Sequence, residues 1–543
     1  MATAKNRWVA LVFIAAAISL VIIDGTIVNT IFPKIIEALS LTSTQVQWVQ
    51  ESYVLVFAAL LLVWGSLADR IGRKRLLIIG VTIFILASAW AGLSQDVTSM
   101  ILARIVQGIG GSMVLPTTLS LVNASFFGKE RGIAFAVWGA TIGGMVAIGP
   151  VLGGWFATSF GDEGWRWAFN INLPIGFVVL AGLGYFATES KQEHEEKGLD
   201  VLGAVLSVIM FSTLVFGLIE GRAYGWWEAS TSHKFSLFGY DWPTDGISVI
   251  PVSLGISVVS AVLFVVFERL RAKQGKSVIL DLDLFKIASF RNGSIAALII
   301  SMGEFGVLFA LPLWLQNVLE LSPISSGLVL LWLAGGSFVA SGVAGGLSGK
   351  VSPTMIVRIG VLLELVGVLG VGVFASVDAG WVSVAPFLFV YGIGIGLATA
   401  QLTGVIMVDV PMNKAGQGSG TQSTARQIGS AMGIAVLGTL LFTSIQSGLD
   451  SRFADLKNDG LQKNVADTTS SIVVESSGGA IPQLSSSMQK FGVPAALADK
   501  VQADAGLAFT DGVRAAGFAA AAFLGLGLLS TLNLGTRKAK AQK

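Results

Sequence analysis

Long apolar runs separated by short polar connections recur from Trp8 almost to the end of the chain. Each is long enough to cross a hydrocarbon core about 30 Å thick at about 1.5 Å per residue, so the pattern is that of a membrane-spanning helical bundle. Fourteen spans are predicted: 8–30, 47–67, 76–95, 99–122, 132–157, 167–187, 199–219, 247–267, 290–318, 324–347, 355–375, 381–408, 416–444 and 508–533. The fold class is an all-α polytopic membrane protein.

An even number of spans puts both termini on one side. The basic stretches "DRIGRKR" (69–75), "GKER" (128–131), "ERLRAKQGK" (268–276), Lys350 with Arg358, Lys414 and the tail "RKAKAQK" all fall on one face in this topology. Basic loops stay cytoplasmic, so the expected placement is multi-pass in the cytoplasmic (inner) membrane with both ends inside. No A-x-A cleavage pattern follows the first apolar run, which is therefore read as retained.

Two external segments stand out. Residues 221–246, rich in Trp and Tyr, are expected to hug the membrane surface, while the Ser-, Asp- and Ala-rich stretch from about 446 to 507 reads as a long external loop, either a small periplasmic element or a flexible stretch, between which composition does not decide. On the inner side, "SVILDLDLFKIASF" (277–290) reads as an interfacial segment leading into the ninth span.

Composition narrows the chemistry. Of 543 residues, 53% are hydrophobic and 13% charged, with mean hydropathy +0.75, far from a soluble domain. The absence of cysteine excludes disulfides and thiolate chemistry, and His194 and His233 both fall in connections. This argues against a haem protein, a zinc enzyme or a His-based membrane protease. No metal, cofactor or nucleic-acid partner is expected.

The chain repeats itself. A shift of 280 lays "GSLADRIGRKRLLIIGV" (65–81) on "GGLSGKVSPTMIVRIGV" (345–361), and a shift of 284 lays Gly108–Gly110 on Gly392–Gly394. Two six-helix bundles, 1–190 and 276–543, then flank an inserted helix pair in 191–275. Parallel six-helix halves about a central site are an architecture of secondary transporters.

Against this apolar background a few charges are conspicuous. Asp24, in "IIDGTIVNTIFPKI", Arg104, Glu304, Glu364 and Arg426 are membrane-embedded, and Glu51 lies in the first turns of the second span. The shift of 280 carries Asp24 onto Glu304. A carboxylate at the bilayer centre costs ~2.5–3.5 kcal/mol, so such groups default to function. The alternative is a structural ion pair, for example Asp24 with Arg104. Burial and a neighbouring arginine pull a carboxyl in opposite directions, which suits it to gain and lose protons. A proton descending about 100 mV supplies ~2.3 kcal/mol, enough for roughly fiftyfold accumulation of a neutral solute.

The motifs carry a resemblance. "GSLADRIGRKRLL" (65–77) fits the cytoplasmic loop signature of the major facilitator superfamily, which implies a conformational latch at Gly65, Asp69, Arg70, Gly72 and Arg73. "RIVQGIGGSMVLP" (104–116) resembles that superfamily's fourth-helix motif, whose arginine is linked to proton transfer. "AIGPVLGGW" (147–155), with Gly149, Pro150, Gly153 and Gly154, resembles the fifth-helix motif of proton-exchanging exporters and is expected to form a kinked, closely packed helix. "LVIIDGTIVNTIFPKI" resembles the first-helix motif of the fourteen-helix drug:proton antiporter family. By that resemblance Asp24 is a proton site and Arg104 its modulator; Glu304 rests on the repeat alone.

The expectation is thus a major facilitator fold of two six-helix bundles plus two inserted helices. Such a protein is expected to export small amphipathic, often cationic compounds in exchange for protons by alternating access, as a monomer among membrane lipids with the proton gradient as energy source. Glu51, Tyr53, Phe305, Glu364 and Arg426 are expected to line the substrate cavity. Export of an endogenous metabolite or lipid is the alternative on the same scaffold. A membrane enzyme or a channel is disfavoured, since neither a nucleophile with its base nor a filter element stands at membrane depth.

Overall fold

The computed structural model describes residues 4–534 apart from 42, 192–197, 232–233, 238–239, 348–349 and 457–459. His194, His233 and the basic tail lie outside the described residues.

Fourteen helical stretches among the described residues are long and apolar enough to cross a membrane. The first half comprises α1 (Ala4–Leu39), α2 (Ser43–Ile71), α3 (Arg73–Leu93), α4 (Val97–Ser125), α5 (Gly128–Ser159), α6 (Gly164–Asn170) and α7 (Asn172–Phe186). The inserted pair is α8 (Val201–Tyr224) and α9 (Val249–Lys273). The second half comprises α10 (Ala288–Asn317), α11 (Pro323–Leu347), α12 (Pro353–Phe374), α13 (Ala385–Met407), α14 (Ala415–Leu456) and α17 (Ala495–Ser530).

Three expectations change. The sixth span is not one helix: it breaks at Ile171 into α6 and α7, because Pro174 lacks the N–H that a continuous helix would need. The segment 446–507 is not a loop. α14 continues to Leu456, α17 begins at Ala495, and between them lie α15 (Lys463–Glu475) and α16 (Leu484–Lys490). Their Ala466, Val473, Leu484 and Met488 join the core of the second half, a one-sided apolar stripe that an average over polar composition conceals. In the segment 221–246, Tyr224, Trp226, Phe235 and Trp242 fold inward on a short hairpin, Ser236–Leu237 against Tyr240–Asp241; Trp227 and Tyr240 stay exposed.

The repeat is legible in the packing. Gly110 of α4 lies against the Gly80 carbonyl and the Phe84 amide of α3, and Gly394 of α13 lies against the Gly360 carbonyl and the Glu364 amide of α12. The halves meet along two related seams, α2 on α14 and α5 on α11, and α8 packs into the first seam against both α2 and α14. The inserted pair therefore flanks one seam only.

Candidate functional site

Asp24 stands inside α1, completely buried. On α4, Arg104 and Gln107 are three residues apart and so share one face. Arg104 Nη1 donates to Asp24 Oδ2 at 2.6 Å and to Gln107 Oε1 at 2.6 Å, and Gln107 Nε2 donates to Asp24 Oδ1 at 2.7 Å. The break between α6 and α7 brings Asn172, whose Nδ2 reaches Asp24 Oδ1 at 3.3 Å and Ser88 Oγ at 2.9 Å. The Tyr53 ring covers the guanidinium with its centroid 4.2 Å from Cζ, a cation–π contact. Asp24 thus accepts from three donors in a fully buried site.

The pseudo-symmetric Glu304 of α10 is held more loosely. Arg426 Nη2 of α14 lies 3.3 Å from Glu304 Oε2, and Thr399 Oγ1 of α13 donates to Oε1 at 3.4 Å. The Tyr391 hydroxyl donates to the Glu304 carbonyl at 3.0 Å, and Phe305 is half-buried beside it. The acids correspond by the repeat but their arginines do not. Arg104 comes from α4, whereas Arg426 comes from α14, the counterpart of α5.

Glu364 of α12 is fully buried, and neither carboxyl oxygen has a hydrogen-bond partner among the described residues. Glu51 of α2 belongs elsewhere, facing Glu220 of the inserted α8. The residues expected to line one cavity therefore stand in three places: Tyr53 beside Asp24, Glu51 at the α2–α8 contact, and Phe305, Glu364 and Arg426 in the second half. Spacing along separate helices gives depth but not the direction in which a side chain points.

At the end of the bundle carrying the basic loops, the latch motif assembles as a closed joint. Gly72 makes the one-residue turn between α2 and α3 with φ 113°, a conformation that favours glycine. The Asp69 carboxylate accepts from the amides of Gly416 and Gln417 at the start of α14, with N–O distances of 2.7 Å and 3.2 Å to Oδ2. Arg73 Nη2 donates to Asp69 Oδ1 at 2.8 Å and to the Met412 carbonyl at 2.8 Å. A helix N-terminus is a natural seat for a carboxylate. Gly65 lies directly on the backbone of Gly416 and Gly420, and Arg70 donates to the Gly198 carbonyl at 2.5 Å.

The segment 277–290 docks on this joint and is more than interfacial. Gln417 Oε1 accepts from the Asp281 amide at 3.0 Å, and Lys414 pairs with the Asp281 carboxylate.

At the far end, Gly149 and Gly153 of α5 pack on α1 at the Ile23 and Ile27 carbonyls, and Gly154 packs on Ile324 of α11. α5 runs unbroken past Pro150. Close helix approach is what these small residues permit.

Sequence reasoning missed Gln107, Asn172, Thr399 and Glu220. Asn172 lies within "WRWAFNINLPIG" (165–176), and its place two residues before the helix-breaking Pro174 was the available signal.

Comparisons agree with this architecture. The Major Facilitator Superfamily pattern matches residues 14–434. The tetracenomycin C resistance and export protein of Streptomyces glaucescens is 28% identical over 82% of this chain and 78% of its own. The multidrug resistance protein Stp of Mycobacterium tuberculosis is 30% identical over 88% and 85%. The riboflavin transporter RibZ of Clostridioides difficile is 26% identical over 81% and 90%. Among solved structures, the human organic anion transporter MFSD10 covers 97% of this chain and 99% of its own with a TM-score of 0.58 at 12% identity, a likeness of fold.

Proposed function

The chain belongs to the Major Facilitator Superfamily, and from that premise we propose that it exports small amphipathic, often cationic compounds in exchange for protons. The observation that carries this reading is the fully buried Asp24–Arg104 pair, which a rearrangement of α1 against α4 would expose. A carrier needs such a link between ionisation and helix position. Relatives named for antibiotic export and multidrug resistance support the substrate class.

In this reading the basic end faces the cytoplasm, both termini lie there, and the protein sits in the inner membrane as a monomer without a cofactor. A proton entering from outside neutralises Asp24 and frees Arg104. Relaxation of that contact lets the halves rock about the two seams, and loss of the proton inside restores the pair. Glu304 and Arg426 form a second charged pair on the opposite half. Lipophilic cations suit such a site because apolar contact is permissive while acids select charge.

Export of an endogenous metabolite is the second reading, supported by the similarity to a riboflavin transporter. Ethidium transport in proteoliposomes under an imposed pH gradient separates the two. Saturable, gradient-dependent ethidium flux is expected. If the protein neither binds nor moves any lipophilic cation but moves riboflavin, the drug-export reading fails.

A further inference from the structure

Glu364 occupies a position that the fold uses elsewhere for an aromatic ring. Gly394 sits on the Gly360 carbonyl and the Glu364 amide just as Gly110 sits on the Gly80 carbonyl and the Phe84 amide, so Phe84 is the counterpart of Glu364 in the first half. Phe84 is buried and belongs to the apolar core of its half. The α12–α13 packing thus has no need of a carboxyl here. An ionised carboxylate in this place would lack every hydrogen bond that normally offsets its desolvation, which is prohibitive in a dry interior.

Its surroundings supply one cation and one competing anion. The charged groups that act on Glu364 are Glu304 on α10 and Arg426 on α14. The Tyr391 hydroxyl of α13 is committed to the Glu304 carbonyl. α17 meets α12 at Gly517 against Gly372 and at Gly525 against Leu365, and between those contacts it carries only Phe, Ala and Leu. Among the described contacts the Arg426 guanidinium is paired with Glu304 and not with Glu364.

We propose that Glu364 is the proton-binding residue of the second half, neutral in this closed state beside the Glu304–Arg426 pair. When Glu364 releases its proton, its O–H bond breaks, the proton leaves to water, and the net charge of the cluster falls by one. A monovalent organic cation restores the lost charge. The cluster accordingly holds one proton or one cationic substrate, with Arg426 shared between the two carboxylates in the second case. This assignment rests on the exporter reading for the identity of the cation, whereas the protonation of Glu364 stands without it.

The test uses the full chain reconstituted in lipid, with Glu364→Gln and Glu364→Phe. The Phe variant copies the residue that the related position already accepts, so it guards against a folding defect in the Gln variant. Infrared difference spectra over a pH titration should show a protonated-carboxyl C=O component in the wild type that is missing from both variants and present in Asp24→Asn. Ethidium affinity should fall about tenfold per pH unit below the titration point in the wild type and less than about twofold in Glu364→Gln. Persistence of the component in both variants, or its absence from the wild type, overturns the assignment. Should ethidium fail to bind the wild type while the infrared component behaves as stated, the exporter reading fails and the protonation of Glu364 stands.

Discussion

Asp24→Asn is expected to abolish pH-gradient-driven ethidium transport, reducing it to the level of protein-free liposomes, while ethidium still binds. The asparagine oxygen can keep accepting from Arg104 or Gln107, so the local geometry survives, but the group can neither take up nor release a proton. It also leaves the Arg104 charge uncompensated in a dry site. Removing one partner of a buried pair costs about 3–5 kcal/mol, and the retained hydrogen bonds offset part of that, so a clear fall in melting temperature accompanies the loss of coupling. The double variant Asp24→Asn with Arg104→Gln removes both charges and should recover stability. A purely structural ion pair would recover transport as well, whereas a coupling pair recovers stability alone. Melting curves and gradient-driven flux measured on the two variants distinguish these outcomes.

The second large effect lies at the latch. Asp69 is the only carboxylate that joins the start of α14 to α2 and to Arg73 among the described contacts, and its side chain is wholly buried. Asp69→Ala leaves the Gly416 and Gln417 amides and the Arg73 guanidinium without their acceptor. Loss of such a buried pair costs the closed joint about 3–5 kcal/mol, enough to shift an open–closed balance by roughly a hundredfold or more. The chain has no cysteine, so a single Ser419→Cys is a clean reporter. Ser419 is fully buried at the joint, where its hydroxyl donates to the Pro116 carbonyl. Labelling of that cysteine by a membrane-impermeant maleimide offered at the basic face should accelerate at least about tenfold when Asp69→Ala is added. Unchanged labelling would mean that the joint holds without Asp69, by the Gly65 packing alone.

Charged residues in apolar helices announce themselves, which is why Asp24, Arg104, Glu304, Glu364 and Arg426 could be singled out without coordinates. Their pairing could not. Repeat symmetry relates Asp24 to Glu304, yet it gives no hint that the arginines come from non-equivalent helices, because side chains can be exchanged between helix faces while the backbone repeat is kept. Gln107, Asn172 and Thr399 were hidden for another reason. Uncharged polar residues are common in membrane helices, where they bond to carbonyls of the previous turn as Thr117 and Thr403 do here. Nothing in their spacing separates that use from completing a carboxylate site. Glu220 escaped notice because the predicted seventh span stopped at residue 219, whereas α8 continues to Tyr224. The helices within 463–490 are short and mostly polar, so composition alone hides them.

The glycine motifs were the most transferable part of the reading. Gly65, Gly149, Gly153 and Gly154 each lie against the backbone of another helix, and a backbone contact constrains residue type far more tightly than a side-chain contact does. Such positions remain recognisable where cavity-lining residues do not.

The central claim is that substrate and proton move in opposite directions through one mechanism. The most direct measurement is proton movement driven by substrate alone, in proteoliposomes with a trapped pH indicator, a clamped membrane potential and no imposed pH gradient. An ethidium gradient should then drive protons against the direction of ethidium movement in the wild type, and Asp24→Asn should abolish the pH signal. Ethidium flux with no accompanying pH change, or protons travelling with the dye, would contradict the account.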